Sequence, residues 1–120
     1  MATLSNTGMA NQMAFGQHGS AFIDGDSGAY SPPTGKVVVA IQFLADATLN
    51  ALTPETTSDC FGVATSSGQG TNHNLVANNN IFPKGITVYG RWTQVRLQTA
   101  DEDGGAILYL GPAKSPIQTA

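Results

Sequence analysis

The sequence predicts an all-β fold, a small antiparallel β-sandwich or barrel with an extended N-terminal arm. Three observations predict it. Short apolar runs with a two-residue period recur along the chain, little of it reads as helix, and Gly, Asn, Asp and Pro punctuate the intervals at turn positions. The 120 residues suffice for one domain with a single core. The expected division is an arm over 1–20, a β domain over 21–112 and an irregular tail over 113–120.

Residues 1–20, rich in Gly, Ala, Asn, Ser and Met, hold too little apolar material to bury in isolation. They read as a frayed terminus or as an arm ordered against a neighbouring subunit. Met9, Met13 and Phe15 are the adaptable apolar anchors that such a contact would use. A short strand is expected at Ala21 to Asp24, followed by the turn-formers Asp24-Gly25 and Asp26-Ser27-Gly28 and a polyproline-like stretch at 31–35. Lys36 to Ala45 is the clearest early strand. Val37, Val39, Ile41 and Phe43 share one face, yet the other is apolar as well, so this strand is covered on both sides. The run "DATLNALTPE" reads as a helical turn or as a short strand and connector, ended by Pro54. A further strand is expected at Asp59 to Thr65, then a long Gly- and Asn-rich loop with an apolar island at Leu75-Val76.

"IFPKG" reads as a turn, with Pro83 at its second position and Gly85 closing it. Ile86 to Thr99 follows as strand. Val88 and Trp92 are even-numbered whereas Val95 and Leu97 are odd, so a β-bulge near Thr93-Gln94 or two covered faces are needed. Gly90 in mid-strand marks a bulge or the close approach of another group. The acidic stretch 101–105 reads as a hairpin loop returning to a partner strand over Ala106 to Leu110. Trp92 is expected to face Ile107 or Tyr109 across that hairpin. The predicted core is Val39, Ile41, Phe43, Trp92, Leu97, Ile107 and Tyr109.

Charged residues make up only 11% of the chain, against roughly 25% in ordinary soluble domains. A surface covered by neutral polar residues suits a protein packed against other proteins. The net charge of −3 and five scattered basic residues argue against nucleic acid as a partner. No segment approaches the ~20 apolar residues of a membrane helix, and no basic region precedes an apolar run as in a secretory signal. Cys60 stands alone, which excludes an intrachain disulfide and fits folding in a reducing cytoplasm.

Catalysis finds no support in the motifs. Asp24, Asp26 and Ser27 resemble the start of a calcium loop, but the closing position that needs Glu is Gly35. His18 and His73 are far apart in loop-like surroundings. Cys60 reads as a small apolar strand residue. Arg91 and Trp92, as strand neighbours, point to opposite faces: Trp92 inward, Arg91 outward toward a partner. No metal, cofactor or catalytic residue is expected, and the chain is not expected to be an enzyme.

One segment carries a family resemblance. Phe82, Pro83, Gly85, Thr87, Tyr89, Gly90, Arg91, Trp92 and Thr93, followed by Tyr109, Leu110 and Gly111, make a pattern similar to a segment of small virion proteins of tailed bacteriophages. In those proteins an FPxGxTxYGRWT strand is followed by a short loop and an AxLAYLG-like strand. The resemblance covers about a quarter of the chain, and the acidic loop here is longer than that pattern's. It implies a head decoration (capsid cement) protein on the outer capsid surface, clamping neighbouring major capsid protein subunits. The implied partners are the major capsid protein and further copies of the chain, with a homotrimer at threefold points. The implied location is the virion, after synthesis in the host cytoplasm. A tail, neck or fibre-associated structural role, or a receptor- or glycan-binding module, is the alternative.

Overall fold

The computed structural model describes residues 18–64, 69–99 and 104–114. Six strands form one antiparallel sheet: β1 (Ser20–Ile23), β2 (Lys36–Phe43), β3 (Ala47–Pro54), β4 (Ile81–Phe82), β5 (Thr87–Leu97) and β6 (Ala106–Pro112). Their order is β1-β6-β2-β5-β3-β4, and no α-helix occurs among the described residues. The protein is all-β.

The valine-rich β2 sits in the middle, paired to β6 on one side and to β5 on the other. Its two apolar faces follow from that position: Val38, Ile41 and Phe43 join the main core, while Val37 and Ala40 are buried outside it. The switch from even to odd numbering is made by a bulge at Val39, which opposes no residue of β6 between Val38↔Leu110 and Ala40↔Tyr109. β3 and β5 repeat the device. Asn50 is the extra residue between Leu49↔Leu97 and Ala51↔Arg96, and Thr93 is the extra residue between Thr53↔Gln94 and Pro54↔Trp92. The bulge at Thr93 resolves the parity slip in the sequence and lets Trp92, Val95 and Leu97 all point inward. The sheet thereby bends around a core that also takes in Ile23, Leu49, Leu52, Ala106, Leu108 and Leu110. Phe82 stacks on Phe43 at 5.1 Å, and Tyr30 exchanges main-chain hydrogen bonds of 2.8 and 3.0 Å with Val95.

Several expectations need correction. The acidic loop does not join a hairpin. β2 lies between β5 and β6, so Trp92 faces Val38 and Pro54 rather than Ile107 or Tyr109. Inward positions on β6 are Ala106, Leu108 and Leu110, and Ile107 and Tyr109 are half-buried on the outer face. Val39 is likewise half-buried, because the bulge takes it out of the inward series. The ambiguous run at 47–54 is a full internal strand. The expected strand at 59–65 is, over its described residues 59–64, a turn with isolated bridge residues at Gly62 and Val63, the latter paired parallel to Val76. Met9, Met13 and Phe15, most of the acidic loop and the tail from residue 115 lie outside the described residues.

Candidate functional site

Asp24 and Ser27, the suggested calcium ligands, instead close a tight turn. The Asp24 carboxylate accepts from the Asp26 N–H at 3.0 Å and from the Ser27 hydroxyl at 3.2 Å. No group of three or more His, Cys, Asp or Glu among the described residues is placed to hold a metal ion. His73 Nδ1 lies 3.0 Å from the Gly70 carbonyl, and the His18 carbonyl accepts from Lys36 Nζ at 2.8 Å.

The best-defined concavity is an open pocket of about 270 Å³ beside the "YGRWT" stretch. It is lined by Glu55, Asp59, Cys60, Tyr89, Arg91 and Lys114, together with Phe61 and Gln69. Three segments meet there: the end of β3, the turn that follows it, and the end of β6. Arg91 fastens them. Its Nε donates to Glu55 Oε1 at 2.7 Å and its Nη2 donates to the Pro112 carbonyl at 2.6 Å. Glu55 Oε2 in turn accepts from the Lys114 N–H at 2.6 Å. The sequence-predicted partner-binding residue is thus engaged within its own chain, although its side chain is still 31% exposed. Lys114 Nζ reaches Asp59 at 2.6 Å, and this hydrogen bond and charge hold the Asp59 carboxyl below the usual carboxylate range.

Trp92 lies in the core behind the pocket-lining Phe61 and Gly90 rather than forming a platform. It is fully buried, donates from Nε1 to the Phe61 carbonyl at 2.9 Å and meets the Phe61 ring edge-on at 5.6 Å. Gly90 is needed for this packing, since a Cβ there would lie 2.5 Å from the Trp92 ring and 2.7 Å from Cys60 Sγ. Cys60 is half-buried in this contact, off any strand. The charges in the pocket pair off, Arg91 with Glu55 and Lys114 with Asp59. Glu55, Asp59 and Lys114 are distant in sequence from Arg91, and no local motif announces their meeting.

A second feature is the outer face of the sheet. Strand register aligns Ser20, Tyr109, Ala40 and Tyr89 in one row, and Phe22, Ile107, Gln42 and Thr87 in the next. Tyr109 donates to Gln42 Oε1 at 3.2 Å between the rows. No charged side chain stands in either row, and Phe22 and Tyr89 are 59% and 62% exposed. Compared with family models, curated proteins and solved structures, the chain gives no match.

Proposed function

We propose that the chain is a structural virion protein that binds the outer surface of a bacteriophage capsid and clamps neighbouring major capsid protein subunits. The observation that carries the reading is the segment from Phe82 to Thr93 with Tyr109 to Gly111, which resembles small phage virion proteins. In this fold those residues are scaffold: Trp92 is core, Gly90 admits it, and Arg91 ties three segments together. The mechanism is mechanical rather than catalytic. A rigid sheet with uncharged outer rows supplies burial without paired-charge desolvation, and Met9, Met13 and Phe15 supply further apolar anchors. Each contact is modest, and a lattice multiplies it.

The test uses purified heads. Stoichiometric copies of the protein are expected on them, and heads lacking it should burst at lower temperature. Equal heat resistance with and without the protein would refute the reading.

The exposed Tyr89 beside the polar pocket favours a second reading, a glycan-binding module on a virion appendage. Saturable quenching of tyrosine emission by host surface glycans, lost in Tyr89→Ala, would select it over capsid binding.

A further inference from the structure

The two edges of the sheet differ in how they are guarded. β4 is two residues long and is followed at once by Pro83 and Lys84, features that discourage strand addition. β1 is four residues, Ser-Ala-Phe-Ile, without a charge, a proline or a bulge in its register with β6. Its hydrogen-bonding polarity is fixed by the Leu110 N–H, which donates to the Gly19 carbonyl at 2.9 Å. Alternation along an antiparallel ladder then directs the main-chain groups of Ala21 and Ile23 toward β6. Those of Ser20 and Phe22 point away from the sheet.

We propose that β1 is a self-association edge, on which β1 of a second copy pairs antiparallel about a twofold axis through Ala21. In that register Ser20 of each copy exchanges two main-chain hydrogen bonds with Phe22 of the other, using all four outward groups of each strand. Ala21 meets its own equivalent at the close, non-hydrogen-bonded spacing, which its small side chain permits. Each Phe22 ring stands beside a serine, so large meets small on the outer face. The same register sets His18 of one copy against Asp24 of the other, so no like charges oppose. With no charge on the edge strand itself, this register fits a second copy better than a charged partner strand. The two sheets become one continuous sheet, and the uncharged outer rows run across the junction. The contact is isologous and closes with two copies, which replaces the threefold arrangement implied by the resemblance. It does not depend on what the assembled protein binds.

Sedimentation equilibrium of the full chain should give twice the monomer mass of 12.4 kDa. Ser20→Pro removes a donor that faces away from β6, so the fold should persist while the dimer dissociation constant rises about thirtyfold, as expected for two lost hydrogen bonds. Ser20→Lys, which keeps the main chain intact, should weaken the dimer and leave the melting temperature unchanged at concentrations where both proteins are monomeric. Ala21→Cys in a Cys60→Ser background should form a disulfide-linked dimer under mild oxidation. A monomer at millimolar concentration, a trimer, a dimer indifferent to both Ser20 variants, or failure of Ala21→Cys to cross-link would each overturn the proposal.

Discussion

Single atoms decide much of the stability around Trp92. Gly90→Ala forces a methyl against the indole and the Cys60 sulfur, and should cost about 1–3 kcal/mol in urea unfolding. Gly62→Ala should cost more. Its methyl would run into the Leu52 carbonyl and the Pro54 ring, and a main-chain oxygen held by the Val63 N–H has no room to yield. Arg91→Ala leaves the Glu55 carboxylate, only 12% exposed, without its guanidinium, and should cost about 1–3 kcal/mol. Arg91→Lys should recover little, because one ammonium cannot serve both Glu55 and the Pro112 carbonyl in the same fork geometry. The Asp59 carboxyl titrates below its unfolded value, so its pairing with Lys114 is present above that unfolded value and is lost as pH falls through the lowered one. An NMR titration of Asp59 should move upward in Lys114→Ala. The pair is exposed on both sides, so little change in melting temperature should accompany it.

At the scale of the element, the bulges at Val39, Asn50 and Thr93 let strands with mixed parity present one inward face. Thr93 is the residue that drops out of the alternation, so deleting it should leave Val95 and Leu97 on the inward face beside Trp92, and thermal unfolding should remain cooperative. This feature was legible beforehand, because the parity of Val88 and Trp92 against Val95 and Leu97 required a residue to drop out of register near Thr93. The crowding at Gly90 and the two covered faces of β2 were legible for the same reason: each is written in local side-chain chemistry. The β5–β6 hairpin was misread because Asp103-Gly104 between two apolar runs looks identical whether the strands pair directly or admit a third. What inserts β2 between them is the pairing of residues 63–76 positions apart, from Phe43↔Ala106 to Lys36↔Pro112. The inward expectation for Ile107 and Tyr109 rests on that hairpin, in which they would face Trp92, whereas pairing with β2 turns Ala106, Leu108 and Leu110 inward. The run at 47–54 stayed ambiguous because alanine, leucine and threonine satisfy either period until β5 supplies a partner. The pocket was not legible at all, since Glu55, Asp59 and Lys114 converge only once the ends of β3 and β6 are neighbours.

For the molecule as a whole, the first strand pairs with the last and the central strand bridges distant segments, so no contiguous half holds a complete sheet. Refolding should therefore take milliseconds to seconds in stopped-flow fluorescence of Trp92, rather than microseconds. The same end-to-end pairing has a mechanical side. Ser20 lies opposite Tyr109, and Gly19 is bonded to Leu110, so both ends of the described chain leave from one end of the β1–β6 ladder. Tension applied between residues 18 and 114 would load those hydrogen bonds one after another, like a zipper, instead of all at once in shear. The chain would give way at β1 under a low force, and the body built on β2, β3 and β5 would stay intact to bear whatever load reaches it through its faces.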